Sequence, residues 1–149
     1  MTCVLLDTNV WVSAFLAPEG HCGRLVQRLL GAVAADVIIS PPLVDELAEV
    51  LERPRLIRRY GFTAEEVRQY IEWIWSIGRV VEPLPETYGC RDSSDDVICG
   101  SAAAGAAEYL VTRDDDLKRD PALMAALAQK GVRVVSVAVM NAVLDGATE

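Results

Sequence analysis

Residues 3–9 read Cys-Val-Leu-Leu-Asp-Thr-Asn, and the fold class can be predicted from this segment outward. Four apolar residues in a row are typical of a short strand that is buried on both faces, as in a parallel sheet. The run stops at Asp7, and the pattern that follows predicts a helix over Thr8–Leu16. The stretch therefore predicts the first strand–helix unit of an α/β domain, with an acidic residue at the carboxyl end of the strand.

The same order of strand and helix recurs along the chain. Further strands are predicted at 36–40, 79–82, 109–112 and 132–136. Helices are predicted at 23–33, from Pro41 to Leu51 with Ser40 as cap, from the capping box Thr63-x-x-Glu66 to Ile77, from Asp96 to Ala106, from Pro121 to Gln129, and onward to Leu144. Pro54 either ends or restarts the helix before it. Strict alternation predicts one α/β domain over residues 1–149, a doubly wound five-stranded parallel sheet flanked by helices.

Composition supports a single domain and argues against several kinds of site. The chain has 149 residues, 52% of them hydrophobic, which is enough for a sizeable core. It contains neither the ~20 uncharged apolar residues of a membrane span nor the pattern of a signal peptide, so we expect a cytoplasmic protein without membrane contact. With one histidine and no C-x-x-C pair, a zinc site is not expected, and the cysteines should be free thiols: Cys3, Cys22, Cys90 and Cys99.

The net charge of −8 is unusual for a nucleic-acid-binding protein, which normally presents a basic face. The densest positive patch is the segment 53–59, Arg-Pro-Arg-Leu-Ile-Arg-Arg. For any single arginine of this patch, a solvated helix face is the simpler explanation. The charge balance predicts weak non-specific affinity for nucleic acids, together with a particular substrate or a protein partner.

Four acidic residues stand close to the points where predicted strands give way to helices: Asp7, Glu46, Asp96 and Asp114. Each alone has an ordinary explanation, as a helix cap, a surface residue, a first-turn acid or a turn former. Together they follow different strands at one edge of the sheet, where α/β proteins bind ligands. Because gathered carboxylates repel each other unless a hard cation binds them, the pattern predicts a Mg²⁺ or Mn²⁺ site and metal-assisted phosphodiester chemistry.

Other catalytic arrangements do not fit the sequence. A single histidine on a Gly-rich turn argues against a Ser-His-Asp triad, and neither G-x-x-x-x-G-K-[ST] nor G-x-G-x-x-G occurs. No second Asp stands two residues after Asp7, which argues against a phosphatase with an aspartyl nucleophile. A receiver domain requires a Lys after the last strand, whereas Ser136 ends the fifth predicted strand here and no Lys follows it.

Four segments, in order, resemble PIN-domain ribonucleases. They are Leu-Leu-Asp-Thr-Asn at 5–9, Asp-Glu-Leu-x-x-Val-Leu-x-Arg-Pro at 45–54, Asp-Ser-Ser-Asp-Asp-Val-Ile at 92–98 and Tyr-Leu-Val-Thr-Arg-Asp-Asp-Asp-Leu at 109–117. The resemblance covers essentially the whole chain and is greatest to the toxin components of bacterial toxin–antitoxin pairs, related to VapC-type toxins. The pair Gly100-Ser101 departs from the bulkier helix that is common in that family.

By position, the resemblance implies catalytic and metal-binding roles for the acids of the four segments: Asp7, Glu46, Asp96 and Asp114, with Asp116 as a substitute or fifth metal ligand. Thr8 and Asn9 would shape the loop around the first acid. Thr112 matches a small polar residue that usually lines the pocket.

The resemblance implies a Mg²⁺- or Mn²⁺-dependent endoribonuclease that acts as a toxin on single-stranded or structured RNA. It also implies a cognate antitoxin protein and a homodimer. Only one of Trp73 and Trp75 should face the core, which would leave the other for such an interface. The main alternative that stays open is a catalytically silent domain that binds metal or protein and has a regulatory role. A phosphatase or DNA nuclease that uses the same metals also stays open.

Overall fold

The central sheet has five strands, all paired in parallel. The computed structural model describes residues 2–31, 35–85 and 93–147. In chain order the strands are β1 (Thr2–Leu6), β2 (Ala35–Ile39), β3 (Arg79–Val80), β4 (Tyr109–Val111) and β5 (Arg133–Val135). Their spatial order is β3-β2-β1-β4-β5, with Val4 opposite Val37 on one side and Tyr109 on the other. The predicted doubly wound parallel sheet is confirmed, and β1 lies at its centre.

Helices follow the strands in the predicted alternation. They are α1 (Thr8–Leu16), α2 (His21–Leu30), α3 (Pro41–Leu51), α4 (Pro54–Tyr60), α5 (Ala64–Ile77), α6 (Ser93–Ala104), α7 (Asp115–Lys118), α8 (Pro121–Gln129) and α9 (Val137–Ala147). Pro54 restarts a helix because proline suits the first turn, where its missing N–H has no partner to lose. The acidic turn after β4 contains the short α7, which the sequence did not predict.

The core surrounds β1. Val4, Leu5 and Leu6 are fully buried, as a strand covered on both faces requires. Trp11 of α1 is also fully buried, and α6 packs against β1, β2 and β4.

In the three described ranges, no helix combines the length and the apolar character that crossing a bilayer would require. Cys3, Cys22 and Cys99 are free thiols, and Cys90 lies outside the described residues.

One predicted cap is replaced by a buried hydroxyl pair. Ser40 precedes α3 in extended conformation, yet its side chain makes no capping hydrogen bond. Its Oγ lies 2.8 Å from Oγ of Ser101, and both side chains are fully buried between β2 and α6. The adjacent Gly100 permits a close approach, since a Cβ there would lie 2.6 Å from the carbonyl oxygen of Leu84. The small pair Gly100-Ser101 therefore allows α6 to pack tightly against its neighbours.

The N-terminal capping box of α5 is formed as predicted. The Glu66 N–H donates to Thr63 Oγ1 and the Thr63 N–H donates to Glu66 Oε1, each over 3.1 Å.

The two tryptophans of α5 differ from the expectation that one of them faces the core. Trp73 is 39% exposed and Trp75 38% exposed, so neither faces the core. The inward positions belong to smaller side chains, including the fully buried Ile74.

Candidate active site

Asp7 connects the central strand to α1. Its N–H donates to the carbonyl of Val111 over 2.9 Å, which extends the pairing of β1 with β4. Its side chain caps α1, because Oδ1 accepts a 2.7 Å hydrogen bond from the N–H of Thr8. With 5% of its surface exposed, Asp7 is a buried carboxylate at the carboxyl edge of the sheet.

Thr112 holds the other oxygen of the Asp7 carboxylate. Thr112 directly follows β4, and its N–H donates to the Val135 carbonyl over 3.1 Å. Its Oγ1 donates to Asp7 Oδ2 over 2.7 Å and accepts from the N–H of Asp114 over 2.9 Å. Asn9 adds a longer contact, 3.4 Å from its Nδ2 to Asp7 Oδ2. The ends of β1 and β4 are thus joined through one hydroxyl group.

Negative charge converges on Asp7. Burial raises the pKa of its carboxyl group above the ordinary value, and hydrogen bonds from Thr112 and Thr8 partly offset this. The charges of Glu46 and Asp114 raise the pKa further. Glu46 is positioned from α3 by Thr8, whose Oγ1 donates to Glu46 Oε2 over 3.1 Å. Three predicted acids therefore share one electrostatic environment, although they are far apart in sequence.

These acids lie in a groove of about 1080 Å³. Its acidic lining consists of Asp7, Glu46, Asp95 and Asp114. Its basic and titratable lining includes Arg53, Arg113, Lys118 and His21. Acids and cations in one groove suit a ligand that carries phosphate groups and is accompanied by a divalent cation.

Two predicted site residues, Asp96 and Asp116, are not among the described side chains that line the groove. Asp96 lies in the first turn of α6 and is half-buried, while its neighbour Asp95 is the α6 acid that lines the described part of the groove. The backbone of Asp116 belongs to α7, but its side chain lies outside the described part of the structure.

The donor chemistry of the groove suits Mg²⁺ or Mn²⁺, because carboxylate oxygens are hard ligands and the gathered charges favour a cation. Among the side chains that the structure describes, no three His, Cys, Asp or Glu residues form a group that could hold a metal ion. The ligand set therefore remains a prediction from the sequence.

Sequence reasoning missed a network on the exposed side of α1. Asn9 Oδ1 accepts a 3.1 Å hydrogen bond from the N–H of Arg113, and the Arg113 guanidinium donates to Ser13 Oγ. Asn9 and Ser13 are four residues apart and so share one face of α1, which is the signal that could have revealed the network. This network fixes the position of Arg113, which connects Thr112 to Asp114.

Comparison with known proteins gives three findings. A family model described as PIN domain matches residues 3–116. The uncharacterized protein MJ1680 of Methanocaldococcus jannaschii is 25% identical over 114 residues, which cover 76% of this chain and 72% of that protein. The chain is also similar to a solved structure of VapBC2 from Rickettsia felis, bound to a DNA fragment from its promoter, with a TM-score of 0.61. That match covers 91% of this chain and 98% of the other, and at 17% identity it supports the fold alone.

Proposed function

Because this chain belongs to the PIN domain family, we propose that it is a metal-dependent endoribonuclease and the toxin of a toxin–antitoxin pair. The observation that carries the proposal is the position of Asp7. It is a buried carboxylate at the end of the central strand, and two further acids raise its pKa from the same groove. Repulsion between buried carboxylates is more common at functional sites than at purely structural ones.

Asp7, Glu46 and Asp114, together with an acid of α6, would hold Mg²⁺ or Mn²⁺, and binding would draw these carboxylates together because the described side chains do not already form a three-residue ligand group. When bound, such an ion supplies Lewis-acid activation of water and stabilises charge on the phosphate. Thr112, Thr8 and Asn9 hold the Asp7 carboxylate in place through their hydrogen bonds. Arg113 and Lys118 line the same groove and would contact the RNA backbone. Hydrolysis by water should leave 5′-phosphate and 3′-hydroxyl ends, as the resemblance implies.

The proposal includes two protein partners. A net charge of −8 and an acidic groove suit a basic segment of an antitoxin, which would insert an arginine between the carboxylates. A homodimer is also proposed, for which exposed Trp73 or Trp75 offers an apolar contact. Sedimentation of the chain alone and with the product of the adjacent gene measures both associations.

The test is cleavage of end-labelled single-stranded RNA and of the matching DNA with Mn²⁺, Mg²⁺ or EDTA. We expect metal-dependent cleavage of RNA, and a loss on the order of 10²-fold or more for Glu46→Gln. The matched control is Asp45→Asn, which removes an exposed carboxylate from the preceding position of α3, outside the described groove lining. Equal loss in both variants would contradict a specific role for Glu46.

Two further pairs of variants assign the acids that the structure leaves open. Asp95→Asn and Asp96→Asn compare the two acids at the start of α6, and Asp114→Asn and Asp116→Asn compare those after β4. In each pair, we expect one variant to lose metal-dependent cleavage and the other to retain most of it. Full activity in all four would show that the ligand set is wrong.

The alternative is a catalytically silent domain that binds metal or protein. Its protein-binding form needs no metal and is compatible with the lack of a three-residue ligand cluster among the described side chains. The same assay separates the two functions, because a silent domain would leave RNA intact with every metal. Stabilisation of the fold by Mn²⁺ without any cleavage would identify the silent metal-binding form.

A further inference from the structure

A second cavity, of about 450 Å³, lies beside the acidic groove between the α1–α2 and α4–α5 segments. Its volume falls in the usual range for small-molecule sites. Aromatic side chains dominate its lining: Phe15, Tyr60, Phe62, Tyr70 and Trp73. The side chain of Gln27 also lines it and can hydrogen-bond to a polar ligand.

Packing among the rings keeps this aromatic pocket in shape. Phe15 meets Phe62 edge to face at 5.1 Å between ring centroids, and Tyr70 stacks on Trp73 at 5.8 Å. The Tyr70 hydroxyl donates to the carbonyl of Trp11 over 2.7 Å, and burial raises its pKa, so the phenol stays neutral. Tyr60 and Trp73 remain 46% and 39% exposed and can receive a ligand.

The aromatic pocket and the acidic groove adjoin each other. Leu16 and Tyr60 line both of them. A flexible ligand can therefore occupy the pocket with one group while a neighbouring group lies among the acids.

The helix between the two cavities is strongly basic. Four arginines lie on α4 or at its N-cap: Arg53, Arg55, Arg58 and Arg59. All four are exposed, and none forms an ion pair with a carboxylate in the described residues. Arg59 lies over the Tyr60 ring, 5.4 Å from its centroid. In a chain with a net charge of −8, this local concentration of exposed positive charge suits an anionic partner.

We propose that the aromatic pocket takes one unstacked nucleobase of single-stranded RNA, while the adjoining phosphates lie along the arginines of α4. This inference rests on the proposed nuclease function and names the form of its substrate. Single-stranded RNA is commonly recognised through splayed-out bases that stack on aromatic side chains, with a basic surface that follows the backbone. The aromatic pocket, the basic helix and the acidic groove adjoin one another, and they would supply the base, phosphate and reaction sites.

The experiment measures binding separately from cleavage. Fluorescently labelled oligouridylate and oligoadenylate of about 8 nucleotides are titrated with the protein in EDTA, and anisotropy gives the affinity. We expect Trp73→Ala and Tyr60→Ala each to weaken binding by about 5- to 150-fold, the range for loss of one stacked aromatic. The control is Leu30→Ala, which removes a similarly exposed apolar side chain of α2 from outside the lining of both cavities and should bind like the wild type.

An oligonucleotide with an abasic ribose at each position in turn tests the base itself. One abasic position should weaken binding to the wild type, and that position should no longer matter in Trp73→Ala. Thermal unfolding of each variant shows whether the fold is intact, and Tyr60→Ala at an exposed helix end serves if Trp73→Ala unfolds.

Three results would overturn the inference: no RNA binding by the wild type, equal binding by Trp73→Ala and Leu30→Ala, or abasic substitution without effect. Unchanged RNA affinity, together with a change of tryptophan emission on adding an amphipathic helical peptide that is lost in Trp73→Ala, would assign the pocket to a protein partner instead. Metal-dependent cleavage by the wild type in a parallel assay would leave the proposed function standing in each of these cases.

Discussion

Asp7 has two roles that make opposite demands on its carboxylate. As the N-cap of α1 it accepts a hydrogen bond from Thr8 and stabilises the helix. As a buried acid near Glu46 and Asp114 it carries a charge that burial and repulsion disfavour. Stability and charge therefore compete at one side chain.

The substitution Asp7→Asn should separate the capping role of this side chain from its charge. Asparagine caps helices as well as aspartate, so the cap should survive while the buried charge is removed. A raised pKa in the folded state means that the folded protein binds the Asp7 proton more tightly than the unfolded protein does. Stability of the wild type should therefore fall as pH rises from about 4 through the raised pKa, and the variant should lack this component.

Urea unfolding from pH 4 to 8 measures this effect, with and without Mn²⁺. At neutral pH the variant should be at least as stable as the wild type in EDTA, and it should gain less from Mn²⁺. Asp7→Ala is the control, since it loses both the charge and the cap. If Asp7→Asn were less stable than Asp7→Ala, repulsion at this site would be negligible.

At the scale of single residues, the sequence revealed some of the site acids better than others. Asp7 directly follows β1, and Asp114 is separated from β4 only by Thr112 and Arg113, so strand prediction alone placed both near the sheet edge. Asp95 and Asp96 are neighbours on one helix, and successive helical side chains point about 100° apart. Which of them faces the groove depends on the rotation of α6 against the sheet, which local sequence does not determine.

At the scale of elements, the two predicted caps show when local patterns are reliable. The Thr63–Glu66 box lies on an exposed helix end, where no other partner competes for its hydroxyl. Ser40 lies at a buried helix end, where the Ser101 hydroxyl of a distant helix is the nearer partner. Local sequence predicts a cap well where solvent is the only competitor.

The capping box leads to a prediction for α5. Thr63→Ala should lower the free energy of unfolding by about 1 kcal/mol, the usual cost of losing an N-cap. Thr63→Ser keeps the hydroxyl and should cost much less. Denaturant unfolding of the two variants measures the difference, and equal destabilisation by both would mean that the threonine methyl group, not the cap, is the stabilising feature.

At the scale of the whole molecule, the alternation of strands and helices was enough to predict the doubly wound parallel sheet. The aromatic pocket was not predictable, because its rings come from α1, the end of α4 and α5. Their meeting depends on how these helices pack against each other. The patch of arginines could be read from the sequence, but its position between two cavities could not.

The separation of charge in the molecule leads to a chromatographic prediction. At neutral pH the net charge of −8 should retain the protein on an anion exchanger. The arginines of α4 should also retain it on heparin, whose sulfates resemble a phosphate backbone in charge. Arg55→Gln with Arg58→Gln should elute from heparin at lower salt and bind the anion exchanger more tightly. Unchanged heparin elution would show that another surface binds polyanions.

The hydrogen bond between Asp7 and Thr112 spans 105 positions of the chain. During synthesis on a ribosome, the first strand and its acid emerge long before Thr112, and Asp114 emerges later still. The acidic groove is therefore assembled only after the segment that follows β4 has been made. For the ribonuclease proposed above, this order of assembly keeps the growing polypeptide inactive beside its own messenger RNA until more than a hundred residues have been translated.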